Sequence, residues 1–489
     1  MEPVKQGKET LLRFGGAGQW KYGHPEGATQ LEPGKSYRFG ETRFQALDGN
    51  WKPAYYAFRK YMDNLGCRPA KGYNPPVHWN ELYDNEYFFK GASICNYDVD
   101  QVELRAKLQK LMQEFYTLDA MKGEAAKAKE LGCEALYLDP GWDSPGCSFL
   151  WDAPRLGSFG AFRKLMQEEY GLKVSVWCGL GGVPPTWADP ASCPVEAQVL
   201  NKEGKRTQIL CFPNAPFLDT RARCLLELAQ QGMAFFMFDS TTYSGPCYDK
   251  SHGHQVPSTR EEHAQALFEL ARRIKAKCPD ALIEMHDPIT GPSDVHYTPT
   301  YFGYQPPHSF DCLWGHEFMW DSLNNLLSGQ AVSLYYYNLA YSIPIYLHVN
   351  LKNDNTNALV LWWYASTCRH LGVGGKSPDP AIWEAQKKAM QTYLSLKPFF
   401  TQGEFYGLDE MIHVHTLPEK NAAVINCFNL ADTPETKTFT IPLAEVGLSA
   451  QSNYEIQGAA AWKQQDSTIE VKVEIPAQGT QLLELIPKS

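Results

Sequence analysis

Phe235-Phe236-Met237-Phe238-Asp239 is an apolar run closed by a carboxylate, and it decides the fold. It is too short to span a membrane, and it follows a helical stretch ending in Gln231-Gly232. The same grammar recurs. Glu130-Leu131-Gly132 leads into Ala135-Leu136-Tyr137-Leu138-Asp139, and Tyr170-Gly171 leads into Val174-Ser175-Val176-Trp177. Cys278-Pro279 leads into Ala281-Leu282-Ile283-Glu284-Met285-His286. Helix, short break, buried strand and then a polar residue is the pattern of a (β/α)8 barrel. Strand C-termini build the active site in that fold, so Asp139, Asp239 and His286 are expected at one rim.

The chain has 489 residues, more than the roughly 250 of a typical barrel, so further domains are expected. Residues 1–74 read as strands and turns with a short helix from Ala54 to Leu65, a partial β-rich domain. Tyr73-Asn74-Pro75-Pro76 is a linker by composition. The barrel is expected over 75–396, opening at Val77-His78-Trp79-Asn80. A long helical stretch from about Asp100 to Leu131 carries Leu104, Leu108, Leu111 and Phe115 at helical spacing. The sixth strand is placed at Ser309 to Trp314, the seventh within Ala331 to Tyr337 and the eighth near Pro344 to Val349. After a helix from Pro380 to Leu396 the period changes to two. Met411–His415, Ala422–Asn426 and Glu470–Ile475 then announce an antiparallel β-sandwich over 397–489.

Composition narrows the function. A net charge of −10 disfavours nucleic acid and anionic membranes as partners. No uninterrupted apolar run reaches the length of a membrane span. Aromatic residues reach 13%, a mild push toward sugar clefts, although large cores use them too. The 13 cysteines form no CxxC pair, and Met1 to Thr10 lacks an apolar targeting core. Free thiols in the cytoplasm are therefore the expectation.

A carboxylate at the end of a barrel strand can attack a sugar anomeric carbon, and Asp239 is the candidate nucleophile. The bland alternative is a helix cap. A retaining glycosidase needs a second carboxyl about 5 to 5.5 Å away as general acid. Phe310-Asp311-Cys312-Leu313-Trp314-Gly315-His316-Glu317 offers Asp311 and Glu317, and the residues alone do not choose between them. Trp142, Trp151 and Trp177 lie on or after strand ends, where they could stack on a sugar or simply fill a core. His252-Gly253-His254 with His286 and Asp287 could be read as metal ligands, but the spacing matches no standard site. Neither metal nor cofactor is expected. Gly372-Val373-Gly374-Gly375-Lys376 lacks phosphate-loop spacing and reads as a glycine turn.

The motif order resembles glycoside hydrolase family 36 and its clan of α-galactosidase-like enzymes, as a divergent member. Pro75 to Phe89, with Trp79-Asn80, is similar to the first strand after that family's N-terminal supersandwich. Tyr137-Leu138-Asp139-Pro140-Gly141-Trp142 resembles its L-D-D-G-W motif. Phe236-Met237-Phe238-Asp239 resembles its K-W-D nucleophile strand, and Leu313-Trp314-Gly315-His316-Glu317 its W-x-S-D acid/base motif. The resemblance implies a retaining mechanism on an α-linked sugar, with Asp239 as nucleophile and Glu317 as acid/base. The departures concern substrate binding. Pro140 replaces the second acid of strand two, and Met237 replaces the sugar-binding Lys. Glu284-Met285-His286-Asp287-Pro288 replaces a cysteine- and glycine-rich motif. Galactose specificity is therefore expected to be altered, with Asp139, Trp142, Trp177, His286, Asp287 and Trp314 as the expected sugar-binding set. The partner is an oligosaccharide or glycoside, and a homo-oligomer is an open alternative. Transglycosylation and carbohydrate binding with weak catalysis are the alternative activities.

Overall fold

The computed structural model describes residues 2–6, 9–13, 33–36, 45–64, 66, 68–69, 71–94, 101–181, 189–239, 241, 243, 245–285, 296–297, 320–341 and 344–488. A hairpin of β1 (Glu2–Gln6) and β2 (Glu9–Arg13) and the helix Lys52–Asn64 precede the barrel. The barrel strands are β3 (His78–Asn80), β4 (Ala135–Leu138) and β5 (Lys173–Gly179), then β8 (Phe235–Asp239) and β9 (Leu282–Met285), and finally β10 (His296–Tyr297), β11 (Tyr346–Asn350) and β12 (His370–Gly374). Between β5 and β8 a two-stranded ribbon is inserted, β6 (Gln198–Leu200) with β7 (Arg206–Leu210). Every pairing in the barrel sheet is parallel, in the order β10-β9-β8-β5-β4-β3-β12-β11.

The helices between strands carry their own start signals. Asn214 caps Ala215–Gln230 by accepting from the Phe217 N–H, with Pro216 in the first turn. Thr259 and Glu262 form a reciprocal capping box at the start of Arg260–Lys277. The long helix expected from Asp100 to Leu131 is two helices, Gln101–Phe115 and Leu118–Leu131. Thr117 lies extended between them and caps the second by accepting from Ala120 N–H, which a hydrophobic period does not reveal.

Two strand placements are corrected. Ala331 to Tyr337 is not a strand but belongs to a 3-10 turn and the helix Ser333–Ala340. Leu334, Tyr335, Tyr337, Asn338, Leu339 and Ala340 are all buried there, so no polar face marks a helical period. The segment near Pro344 to Val349 is indeed a strand, β11, but it is not the last one. The last is β12, whose Gly372, Val373 and Gly374 open the stretch that reads as a glycine turn. Its glycines are there for close approach: a Cβ on Gly374 would sit 2.3 Å from the Asn80 carbonyl oxygen and 2.5 Å from the Tyr83 ring. The sixth strand expected at Ser309 to Trp314 falls outside the described residues.

The C-terminal strands form two antiparallel sheets. One has the order β13 (Glu404–Asp409), β14 (Ile412–Leu417), β15 (Ala422–Asn429), β20 (Gly479–Pro487) and β17 (Tyr454–Gln457). The other is β16 (Glu435–Pro442), β19 (Thr468–Ile475) and β18 (Ala461–Gln465). Alternation shows plainly in β19, where Ile469, Val471, Val473 and Ile475 face the sandwich core. β15 is buried on both faces. Ala423, Ile425 and Cys427 join the sandwich core, while Val424 and Phe428 join the barrel core. The sandwich is thus sewn to the barrel by apolar burial and by a hydroxyl, with Ser366 Oγ 2.8 Å from His413 Nδ1 and 2.9 Å from His415 Nε2.

That seam is acid-sensitive. Burial holds the His413 imidazole down at about 4, against an ordinary value of 6.5. Between those values the unfolded chain takes up a proton that the folded chain refuses, so stability is lost as pH falls through the window. His413→Gln removes the titrating group. The slope of unfolding free energy against pH between 6.5 and 4 should therefore be shallower in the variant than in the parent, measured by urea denaturation. Parallel slopes would refute the assignment.

Candidate active site

In a strand, every second residue faces the same side. In β8 this puts Phe235, Met237 and Asp239 on the inward face, and in β4 and just beyond it Tyr137 and Asp139. In β5 it puts Ser175, Trp177 and Gly179 there. The pairing register sets Trp177 level with Met237, and Gly179 level with Asp239. Tyr137, Trp177, Phe235, Met237 and Tyr346 pack into one buried cluster inside the barrel. Asp239 stands above that cluster at the strand end and is half-buried.

Trp177 Nε1 donates to Asp239 Oδ2 at 2.9 Å. Gly179 makes this possible, because a Cβ there would lie 2.4 Å from the Trp177 ring. A donor on a carboxylate favours its ionised form and fixes its rotamer, which is what a nucleophile requires. Trp142 is placed differently from a stacking platform. Its ring is buried in the barrel core and runs parallel to Phe149, and its Nε1 donates to the Trp177 carbonyl at 2.8 Å. It therefore supports Trp177 from behind.

Asp139 is clamped at three points. Asn80 Nδ2 donates to its Oδ2 at 2.8 Å, its own N–H donates to Glu81 Oε1 at 2.9 Å, and Tyr116 donates to its carbonyl at 3.0 Å. Glu81 is fully buried, and burial, together with the neighbouring Asp139 charge, holds its carboxyl well above the ordinary range. The clamp extends across the barrel. His348 Nδ1 lies 3.1 Å from Asn80 Nδ2 and 2.9 Å from the Tyr83 hydroxyl, which also lies 3.0 Å from the His348 carbonyl. Because the Asn80 amide donates, His348 Nδ1 accepts, and its proton resides on Nε2.

Asn80, Glu81, Tyr83 and His348 are therefore members of the site's framework. His348 obeys the same strand grammar as Asp239, a polar residue alternating inward in Tyr346-Leu347-His348-Val349-Asn350, and that signal is readable. Tyr83 sits on a 3-10 turn after β3, and nothing in the sequence pattern singles it out. Met237 is nearly sealed from solvent, and its sulfur takes the Tyr137 hydroxyl at 3.2 Å. His286, Asp287, Asp311, Trp314 and Glu317 lie outside the described residues. His252 and His254 are gathered with Cys211 and Cys247 into one cluster, whose ligating atoms all lie within 4.8 Å of one another. No spacing rule pairs these histidines with Cys211, because the fold brings it in from a separate connection. Among the described residues no helix is long and apolar enough to cross a membrane.

No protein-family model matches the sequence, and no curated protein matches it. Solved structures do match the fold. A glycoside hydrolase family 36 α-galactosidase from Geobacillus stearothermophilus superposes with a TM-score of 0.58 at 13% identity, over 90% of this chain and 60% of that one. The α-galactosidase from Lactobacillus brevis gives 0.56 at 11% identity, over 90% and 58%. An Anoxybacillus α-amylase gives 0.50 at 13% identity, over 85% and 98%. The chain thus has the fold of the family 36 α-galactosidases, and spans about 60% of the length of the Geobacillus enzyme.

The Gly179–Trp177 fit gives a direct test of the rim. Gly179→Ala must push the Trp177 ring away from Asp239. Overpacking of this kind typically costs about 1 to 3 kcal/mol, read as a lowered urea midpoint. The near-ultraviolet circular dichroism of the folded variant should change as the indole loses its fixed partner. An unchanged midpoint and spectrum would show that the ring does not fill that space.

Proposed function

We propose that the chain is a retaining glycoside hydrolase acting on an α-linked sugar, with Asp239 as nucleophile and Glu317 as acid/base. The observation that carries this reading is the Asp239 carboxylate, half-buried at the end of a parallel barrel strand and held by an indole N–H. The fold shared with α-galactosidases supports it, and one of these, from Geobacillus stearothermophilus, is described in complex with stachyose. In the proposed reaction Asp239 attacks the anomeric carbon while Glu317 protonates the departing oxygen. Water, activated by the Glu317 carboxylate, then releases the sugar with retention. Asp139, Trp177, His286, Asp287 and Trp314 bind the sugar, and Trp142 acts through Trp177.

The substrate reading follows from Met237. A thioether receiving a tyrosine hydroxyl offers a sugar no charged donor at that point of the wall. Each charged hydrogen bond lost to a sugar hydroxyl removes about 1.5 to 3 kcal/mol. We therefore propose that plain α-galactosides are not the preferred substrates.

Asp239→Asn should leave the fold intact and lower turnover by several orders of magnitude, with partial rescue by azide on substrates with good leaving groups. Near-normal turnover in that variant would remove Asp239 from the role. Glu317→Gln should damage hydrolysis of poor leaving groups far more than that of glycosyl fluorides, and should abolish the alkaline limb of the pH–rate profile. If Asp311→Asn does this instead, the acid is Asp311. A panel of aryl α-glycosides decides specificity, and a wide margin in favour of the galactoside would contradict the reading of Met237. Trp177→Phe removes the donor that favours the Asp239 anion. The acid limb of kcat/KM should consequently move to higher pH, and an unmoved limb would separate Trp177 from the nucleophile's ionisation.

A further inference from the structure

Four ligating side chains meet in the connections that flank β8. Cys211 directly follows β7, and Cys247 lies in the connection after β8. His252 ends the 3-10 turn Lys250–His252, and His254 follows two residues later. Cys211, Cys247 and His252 are buried and His254 is half-buried, and all four ligating atoms lie within 4.8 Å of one another. The described cysteines are free thiols.

Both imidazoles are arranged to present a lone pair to the sulfurs. His252 Nε2 donates to the Glu196 carbonyl at 2.7 Å, with an Asp249 carboxylate oxygen also 3.3 Å away, so its Nδ1 is the unprotonated nitrogen. That Nδ1 is 3.5 Å from Cys247 Sγ. His254 Nδ1 donates to the Gln255 carbonyl at 2.6 Å, which leaves its buried Nε2 as the lone-pair nitrogen. Metal-bound histidines show this pattern: the distal N–H is given to a carbonyl or carboxylate, and that contact fixes the tautomer. The sulfur side is prepared as well. The Leu200 N–H donates to Cys247 Sγ at 3.4 Å, a contact that orients the sulfur within the cluster.

We propose that Cys211, Cys247, His252 and His254 bind one zinc ion in a closed, structural Cys2His2 site. Two thiolates and two neutral imidazoles suit a borderline-soft, tetrahedral divalent ion, and the two negative charges neutralise it in a buried place. Zn–S bonds of about 2.3 Å and Zn–N bonds of about 2.0 Å set ligand atoms roughly 3.3 to 3.8 Å apart, within reach of the cluster by side-chain adjustment alone. Four protein ligands leave no open position, so the ion activates no water. Its effect is to tie the connection leaving the Asp239 strand to the β6–β7 ribbon.

The test uses the full chain without an affinity tag, expressed with added zinc and dialysed into metal-free buffer. Inductively coupled plasma mass spectrometry should find about one zinc per chain, as a single closed site requires. Cobalt exchanged into the same protein should show the intense visible bands of tetrahedral coordination, with thiolate-to-cobalt charge transfer in the near ultraviolet. Cys211→Ser and His254→Ala should lose that metal. If those variants do not fold, the stoichiometry and cobalt spectrum of the parent still decide. Substoichiometric zinc in the parent, a cobalt spectrum lacking thiolate charge transfer, or a Cys211–Cys247 disulfide in non-reducing peptide maps would each overturn the proposal. None of these readouts depends on glycosidase activity, so they stand or fall apart from Asp239 chemistry.

Discussion

The barrel depends on a plug of rings at its centre. His78, Phe235, Tyr346 and His370 pack with centroids 4.7 to 5.5 Å apart, each contributed by a different strand. Such pairs are worth about 0.5 to 1.5 kcal/mol beyond their burial. The histidines are tolerated because they are paired. His370 Nε2 lies 3.1 Å from His78 Nδ1, and His78 Nε2 lies 2.8 Å from Ser175 Oγ. Burial, reinforced by the Lys397 charge, keeps the His78 imidazole well below its ordinary value and therefore neutral. A neutral plug lets the sheet curl around a dry centre, and every rim residue stands one or two alternations above it.

That arithmetic explains why Asp239 was legible. The strand β8 is apolar where it meets the plug and polar where it leaves it. Four apolar letters and then a carboxylate record this transition. The same logic reads Asp139, and it could have read His348. The antiparallel strands of the sandwich were equally plain, because Ile469, Val471, Val473 and Ile475 alternate without interruption.

What stayed hidden has a physical cause in each instance. The helix Ser333–Ala340 buries nearly all of its surface, and Leu359–Thr367 buries every residue, so neither shows a polar face for a period to act on. β12 is glycine-rich because neighbouring atoms occupy the space of its side chains, and a strand without side chains spells like a turn. Trp142 stayed open between sugar platform and core filler because position after a strand end says nothing about which way a ring turns. The Cys2His2 cluster joins the β7 end to the connection after β8, and local spacing cannot see a contact made by tertiary structure.

The two strand-end aspartates are held by different means, and the difference bears on chemistry. Asp139 is fixed through its backbone N–H, its carbonyl and its side chain, by Glu81, Tyr116 and Asn80, so its position is over-determined. A group so constrained suits binding, where a fixed acceptor discriminates among hydroxyls. Asp239 takes the Trp177 indole on one oxygen and is half-buried at the rim. Beneath it, the Met237 sulfur takes the Tyr137 hydroxyl, so the floor under Asp239 contributes shape more than charge. The connection that leaves Asp239 is the one the four ligating side chains would staple to the β6–β7 ribbon, adding to the burial that already holds Thr241 and Cys247.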